Sequence, residues 1–151
     1  MIVSFSPADH LQGDVSLPAS KSYSIRAFLI AACGGRSVLV NPSNCDDACV
    51  AMRVARALGA RLSKIDKNTW QVIAAMTETR PAIDVGESGT VLRFLLPLLS
   101  LRGHRVVVTG RGTLRGRPNW PLTALLRQQG VDVRGTGKHE SVPIRFYGGK
   151  M

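Results

Sequence analysis

The hydrophobic pattern of the chain alternates between helical and strand spacing along its length. Four apolar runs have helical spacing, and a glycine closely follows each of them: residues 25–33, 46–58, 88–101 and 118–126. Short runs rich in Val, Ile and Leu predict strands at residues 13–17, 37–40, 61–65, 70–73, 105–108, 131–134 and 144–146. Alternating strands and helices of these lengths predict an α/β (α+β) fold.

The order of these predicted elements occurs twice. Three pairs of residues recur at a nearly constant offset of about 70 residues: Arg26 and Arg93, Val38 and Val106, and Gly59 and Gly130. Each half has a loop with hydroxyl residues, a helix that carries an Arg, a Val-rich strand, a second helix and two strands. We therefore predict a βαβαββ unit used twice, over residues 1–78 and 79–151.

Composition indicates a globular chain outside the membrane. Its 151 residues are 44% hydrophobic and 20% charged, which excludes the disordered and fibrous classes. No run reaches the roughly 18 apolar residues of a transmembrane helix. The first residues show neither a signal peptide nor a transit peptide, so no membrane partner is expected. Three cysteines without a Cys-x-x-Cys motif predict reduced thiols in a cytoplasmic protein.

The net charge of +10 comes mainly from arginine, with 15 Arg against 5 Lys. A guanidinium fits phosphate and carboxylate groups through two parallel hydrogen bonds, so an anionic partner is expected. Nucleic acid and a small phosphorylated or carboxylated molecule both remain open, as does a generally basic surface. Aromatic residues make up only 5% of the chain, which leaves few rings for stacking on single strands.

Residues 20–26 form the first candidate anion site. Ser20 is a predicted helix N-cap, so unbonded backbone N–H groups surround Lys21 and Ser22 in the first turn. Arg26 lies four residues after Ser22 and shares its helix face. Cations at a helix N-terminus oppose the helix dipole unless an anion binds there. The alternative is an ordinary capped helix with solvated Lys and Arg side chains.

Two later segments have the same basic, glycine-rich character. Gly86 and Gly89 flank a predicted N-cap at Ser88, and Arg93 lies one turn into the following helix. Residues 110–118 predict a flexible basic loop that can close over an acidic ligand, although they lack the Gly-Lys-Ser/Thr of a P-loop. An ordinary cap and a solvated surface loop remain the alternatives.

The sequence predicts no metal site and no nucleophilic triad. The histidines are scattered, and Cys45 and Cys49 have no nearby pair of His residues. Asp46 and Asp47 precede a predicted helix and are interpreted as capping residues. Anion binding is therefore the chemistry that the residues themselves favour.

Four motifs occur in order along most of the chain. They are residues 17–27 (Leu-Pro-Ala-Ser-Lys-Ser-Tyr-Ser-Ile-Arg-Ala), 44–47 (Asn-Cys-Asp-Asp), 86–90 (Gly-Glu-Ser-Gly-Thr) with Arg93, and 116–118 (Gly-Arg-Pro). Together they resemble the family of 5-enolpyruvylshikimate-3-phosphate (EPSP) synthases, the 3-phosphoshikimate 1-carboxyvinyltransferases. The sister transferase that acts on UDP-N-acetylglucosamine has Gly-Ala-Lys-Asn-Ala at the first motif, which this chain lacks.

The resemblance implies a fold of two lobes with three βαβαββ units each. This chain would supply two of the six units and be an incomplete, N-terminal fragment of the enzyme. The implied reaction is transfer of the enolpyruvyl group from phosphoenolpyruvate to the 5-hydroxyl of shikimate 3-phosphate. This is a step of the shikimate pathway of aromatic amino acid biosynthesis, and it uses no metal or organic cofactor.

The resemblance also implies roles for individual residues, carried over by matching the motifs. The implied substrate-binding residues are Lys21, Ser22, Arg26, Gly89, Thr90 and Arg117, and further candidates are Asp47, Glu87 and Arg93. Lys21 would be catalytic and contact both substrates. The family often has Asn where this chain has Glu87. A carboxylate beside an anion site needs a cationic partner, which we expect to be Arg93 or another base.

The family's catalytic Asp and Glu have no match in this chain, so no residue of the chain is matched to the acid–base steps of the reaction. We therefore expect the missing second lobe to be a partner and the chain alone to be inactive. Alternatively, the chain is a non-catalytic basic module that binds nucleic acid. The four motifs favour small anionic substrates over nucleic acid as the partner. A steep salt dependence of DNA or RNA affinity that survives the loss of Lys21 and Arg26 would indicate that function. A folded remnant that binds nothing is the third interpretation.

Overall fold

The computed structural model describes residues 3–7, 10, 12–75 and 79–148. The α-helices in these residues are α1 (Lys21–Ala31), α2 (Asp46–Ala57), α3 (Gly89–Ser100) and α4 (Trp120–Gln128). The strands are β1 (Arg36–Val40), β2 (Arg61–Lys64), β3 (Thr69–Ile73), β4 (Ala82–Asp84), β5 (Val106–Thr109), β6 (Asp132–Thr136) and β7 (Ser141–Gly148). A 3-10 helix (Gly112–Arg115) lies between β5 and α4. None of the described helices is long and apolar enough to cross a membrane.

Two β-sheets follow one another along the chain. The first has the antiparallel order β1–β3–β2, and the second has the order β4–β5–β7–β6, in which only β4 and β5 are parallel. The trio β5–β7–β6 therefore has the same order and directions as β1–β3–β2. The mixed α/β fold predicted from the sequence is confirmed. The predicted boundary between residues 78 and 79 stays a prediction, because residues 76–78 lie outside the described part.

The prediction of a strand at residues 13–17 is wrong. This segment has no helix or strand, and Val15 and Leu17 are 83% and 85% exposed. The outer edge of β1 therefore has no strand partner among the described residues, whereas β5 has β4. Alternating apolar residues give a segment strand propensity, but a strand forms only where another edge accepts its hydrogen bonds.

Caps predicted from the sequence begin two of the helices. The hydroxyls of Ser20 and Ser88 each accept a hydrogen bond from the backbone N–H three residues further on, at 3.4 Å. The apolar run 118–126 predicts that the last helix begins at Pro118, and this prediction is wrong. That helix begins at Trp120, and Pro121 is the proline in its first turn, where a missing N–H has no intrahelical partner to lose.

Helices α1, α2 and α3 run in the same direction. Arg102 follows α3, and its guanidinium donates to the carbonyl of Leu58 at 2.6 Å and to that of Ala32 at 3.3 Å. These carbonyls end α2 and α1, so the C-terminal ends of all three helices meet at Arg102. At the other end, an ion pair of 3.2 Å between Lys21 and Asp47 joins the first turns of α1 and α2.

Of these two links, Arg102 contributes more to the alignment of the helices. Each hydrogen bond to a charged donor contributes about 1.5–3 kcal/mol, and a cation at helix C-termini also interacts favourably with their dipoles. The Lys21 side chain is 56% exposed, and exposed ion pairs contribute only about 0–1 kcal/mol. The helices also share one apolar core with the inner faces of the sheets, including Phe28, Val54, Leu95, Val72 and Ile144.

Replacing Arg102 tests this alignment. We expect Arg102→Met to lower the free energy of unfolding by about 2–3 kcal/mol, because two helix-terminal carbonyls lose a charged donor. Urea denaturation measures the change. Arg105→Met is the matched control, since Arg105 is exposed and has no hydrogen bond or ion pair among the described residues; we expect a change within about 0.5 kcal/mol there. Equal effects of the two substitutions would contradict the role of Arg102.

Candidate functional site

The first turns of α1, α2 and α3 lie together at the end opposite their joined C-termini. Lys21 and Asp47 connect α1 to α2. Gly86 lies just before α3 and beside Val50 of α2. A Cβ added to Gly86 would be 3.5 Å from Cγ2 of Val50. We call this surface the N-terminal face and define it by Lys21, Asp47 and Gly89. Unbonded N–H groups and the positive ends of three helix dipoles meet there, which favours a bound anion.

Lys21 and Asp47 are the first pair that the structure brings together on this face. The interpretation of Asp46 and Asp47 as capping residues is wrong. Cys45 is the N-cap residue of α2, and its side chain makes no cap bond. Both acids lie in the first turn of α2, where a carboxylate still interacts favourably with the dipole. Asp47 partly compensates the charge of Lys21, whose exposed side chain remains accessible to a ligand.

Ser22 and Arg26 share one face of α1, as the sequence predicts. The guanidinium of Arg26 donates to the backbone carbonyl of Ser22 at 3.0 Å. It also lies over the ring of Phe94 in α3, 5.0 Å from the centroid, a distance typical of cation–π contact. These contacts hold the guanidinium near the start of α1 and leave the Ser22 hydroxyl without a hydrogen bond to the described residues.

Gly89 and Arg117 are brought into direct contact. A Cβ on Gly89 would lie 2.8 Å from Nη1 of Arg117, so glycine is what leaves room for this guanidinium. Gly89 is buried as the first residue of α3, Thr90 beside it is half-buried, and Arg117 is exposed. The guanidinium of Arg117 therefore lies against the first turn of α3, where unbonded N–H groups could share an anion with it.

Arg93 is not part of this group of contacts. It is exposed on α3 and has no ion pair or hydrogen bond with another described side chain. Pairing of Glu87 with Arg93, one of the two expected arrangements, does not form. The base that pairs with Glu87 is Arg111, with 3.9 Å between Nε and Oε1.

The basic segment at residues 110–118 is not the flexible loop that the sequence predicted. It contains the 3-10 helix, and the side chain of Leu114 is fully buried in the core. The N–H of Arg111 donates to the carbonyl of Gly86 at 2.8 Å, which fixes the start of the segment to the turn before α3. Glycines and arginines suggest mobility, but the burial of Leu114 and the hydrogen bond of Arg111 fix the segment to the core and to the turn before α3.

Two buried polar residues that sequence reasoning missed hold Arg117. Its carbonyl accepts hydrogen bonds from Nδ2 of Asn119 and from Oγ of Ser141, each at 3.0 Å. Asn119 is 3% exposed and Ser141 is 4% exposed. Asn119 directly precedes a helix, which is a common N-cap pattern and the one signal that could have found it. Ser141 carries no local signal, because its partner lies in another part of the sequence.

The turn that supplies Ser141 is itself held by an ion pair. Arg127 in α4 binds Glu140 through two contacts of 2.8 Å. The hydrogen bond from Arg127 lowers the pKa of the Glu140 carboxyl below its ordinary value. Glu140 therefore stays ionised, and α4 remains tied to the turn that positions Ser141 and, through it, Arg117.

The N-terminal face favours a bound anion, and two of its carboxylates are held in ion pairs, whereas the exposed Asp46 has no ion pair with another described residue. Asp47 is paired with Lys21, and Glu87 is paired with Arg111. In the described part of the chain, neither Arg26 nor Arg117 has a carboxylate within 4 Å, and no group of three His, Cys, Asp or Glu side chains could hold a metal ion. A cavity of about 490 Å³ lies between α2 and the turn before α3, and its lining includes Asp46, Asp47, Arg53, Gly86, Glu87 and Arg111.

Comparison with known proteins gives one family. The family model described as EPSP synthase (3-phosphoshikimate 1-carboxyvinyltransferase) matches residues 5–151. The 3-phosphoshikimate 1-carboxyvinyltransferase of Methanococcoides burtonii is 33% identical over 144 residues, which cover 92% of this chain and 33% of that protein. The protein of the same name from Desulforudis audaxviator is 30% identical over 156 residues, covering 100% of this chain and 36% of that protein. The chain therefore spans about a third of the length of the curated relatives it matches.

The fold is also that of a solved structure. An EPSP synthase from Acinetobacter baumannii matches 92% of this chain with a TM-score of 0.83. The match covers 33% of that protein's chain, at 24% sequence identity. At this identity the likeness concerns the fold alone.

Substitution of Gly89 by Ala tests the contact with Arg117. We expect the added methyl to displace the guanidinium and to weaken binding of inorganic phosphate at this face. The free energy of unfolding should stay unchanged or rise by up to about 1 kcal/mol, because Ala favours a helix over Gly. Phosphate titration and urea denaturation measure the two effects. Gly116→Ala is the control, since a Cβ there meets nothing within 4 Å; weaker phosphate binding in both variants would contradict a specific contact.

Proposed function

Because the chain belongs to the EPSP synthase (3-phosphoshikimate 1-carboxyvinyltransferase) family, we propose that it is the N-terminal part of an enzyme that transfers the enolpyruvyl group. The donor is phosphoenolpyruvate and the acceptor is the 5-hydroxyl of shikimate 3-phosphate. The chain's role in this proposal is to supply half of the substrate site, and residues 1–78 and 79–151 are two units of one lobe. The three free cysteines support the cytoplasm as the place of action.

The contact of Arg117 with Gly89 is the observation that carries this proposal. Both residues lie in motifs that match the family, and folding places the guanidinium on the first turn of α3. A phosphate or carboxylate there would accept hydrogen bonds from the guanidinium and from backbone N–H groups at once. Phosphoenolpyruvate carries both of these groups, and in the proposal Gly89, Thr90 and Arg117 bind it.

Shikimate 3-phosphate is assigned to the start of α1. Ser22 keeps a free hydroxyl and Arg26 a guanidinium beside it, so the two can hold a phosphate or sugar-like hydroxyl groups. Lys21 is exposed between α1 and α2, and in the proposal its ammonium contacts both substrates. A cation shared by two anions reduces their repulsion and brings the reacting atoms close together.

Proton transfer is assigned to groups outside this chain. Addition of the 5-hydroxyl to phosphoenolpyruvate needs one proton delivered to the methylene carbon and one removed from the hydroxyl, which gives the tetrahedral intermediate. Departure of phosphate then needs one proton removed from the new methyl group, so that the carbon–carbon double bond of the enolpyruvyl group forms. Asp47 and Glu87 are held in ion pairs, which makes them poor candidates for either transfer. Asp46 lies exposed in the first turn of α2, where its carboxylate interacts favourably with the helix dipole, and the proposal assigns it no proton transfer. The chain spans about a third of its curated relatives, and the proposal places the missing acid and base in the remaining length.

Titration with shikimate 3-phosphate tests the assignment of the α1 site. We expect amide chemical-shift changes concentrated at residues 20–26 and near Gly89. Arg26→Ala should weaken binding by about 1.5–3 kcal/mol, the range for a hydrogen bond with a charged donor. Arg36→Ala is the control, because Arg36 is exposed beyond the opposite end of α1. Shift changes spread evenly over the basic surface, or equal losses in the two variants, would contradict the proposal.

A further inference from the structure

Glu87 makes an unusual set of contacts with the segment that carries Arg117. Its carboxylate lies against the backbone of Gly112, so closely that a Cβ added to Gly112 would overlap it. It also pairs with Arg111 at 3.9 Å. The neighbouring carbonyl of Gly86 accepts a hydrogen bond from the N–H of Arg111 at 2.8 Å. Two consecutive residues before α3 thus hold two consecutive residues at the start of the 3-10 helix.

Glycine is the residue that the backbone and the Glu87 carboxylate favour at position 112. Its φ of +55° lies in the left-handed region, where a side chain is strained, and the carboxylate occupies the space that a side chain would need. Side-chain size at Gly112 and the position of Glu87 are therefore coupled. The contact explains why a carboxylate is tolerated beside an anion site, because Glu87 faces this backbone and a cation.

The contact at Gly112 is connected to Arg117 through a short segment that contains the 3-10 helix. The 3-10 helix runs from Gly112 to Arg115, and the fully buried Leu114 anchors it. Arg117 follows two residues later and lies on Gly89, itself two residues after Glu87. The segment is therefore held against the start of α3 at both ends, by Glu87 at one end and by Gly89 at the other.

Glu87 also distinguishes between the arginines of this segment. It compensates the charge of Arg111, whereas Arg117 has no carboxylate partner in the part of the chain that the structure describes. An anion that approaches the first turn of α3 therefore meets the guanidinium of Arg117 without a carboxylate that competes for it. Without Glu87, two guanidinium groups would compete for the anion, and the 3-10 helix would lose its contact at Gly112.

We propose that Glu87 is a positioning residue for phosphoenolpyruvate: it holds Gly112 and Arg111 so that Arg117 is the guanidinium that binds the anion. This inference rests on the proposed function of the same face. It makes a prediction of opposite sign to simple electrostatics. Removing a negative charge near an anion site strengthens anion binding if charge alone matters, whereas loss of positioning weakens it.

The test uses Glu87→Gln, with Asp132→Asn as the matched control. Asp132 is a comparably exposed carboxylate that pairs with Arg134 at 3.6 Å, in a sheet strand away from α3. Phosphoenolpyruvate is titrated in the presence of shikimate 3-phosphate. We expect Glu87→Gln to weaken its binding by about threefold or more, and Asp132→Asn to leave it unchanged. Unchanged or tighter binding to Glu87→Gln would overturn the proposal.

Native-state trypsin cleavage measures the same contact without any ligand. The peptide bond after Arg111 lies at the start of the 3-10 helix, and the bond after Arg115 lies at its end. Cleavage of either bond requires local opening of the segment. We expect cleavage there to become about threefold or more faster in Glu87→Gln, and likewise in Gly112→Ala, which disturbs the contact from the other side. Rates equal to those of the unaltered chain would overturn the proposal for Glu87 alone. Failure of the unaltered chain to bind phosphoenolpyruvate would overturn the proposed function as well.

Discussion

The guanidinium of Arg102 holds the C-terminal ends of α1 and α2 against the end of α3, and the meeting of the three first turns on the N-terminal face depends on this link. Helices of similar length that end together also begin together, so their dipoles and unbonded N–H groups converge on one surface. Three like dipole ends repel one another when no anion is bound. Charged hydrogen bonds at the opposite end, together with the shared apolar core, offset that repulsion. The anion site is thus a consequence of how the helices are joined at the other end.

Local rules predicted those parts of the fold that depend on neighbouring residues. Ser20 and Ser88 were predicted as caps because a cap bond spans three residues, and the helix ends were marked by glycine. Motif matching placed Gly89 and Arg117 in one site, and the structure brings them into contact. The links between distant segments were not predictable from spacing. Arg102 bonds to carbonyls far away in the sequence, and Glu87 pairs with Arg111 although Arg93 is nearer along the chain.

Errors in the sequence predictions arose where tertiary contacts decide the structure. Residues 13–17 have the alternation of a strand, but no described edge accepts them. Residues 110–118 have the composition of a mobile loop, but the burial of Leu114 and the contacts of Gly112 fix them. The short strand β4 went unnoticed because only Ile83 of its three residues is buried. In each case packing between distant segments outweighed local propensity.

The central claim is that this chain carries a built anion-binding half-site without the groups that transfer protons. Phosphate release from phosphoenolpyruvate in the presence of shikimate 3-phosphate tests it most directly. The chain alone should release no phosphate, whereas a chimera in which it replaces the matching third of the Methanococcoides burtonii relative should release phosphate and lose this activity on Arg117→Gln. Turnover by the purified chain alone, abolished by Lys21→Ala, would contradict the account, because a proton-transfer group would then have to lie within these 151 residues.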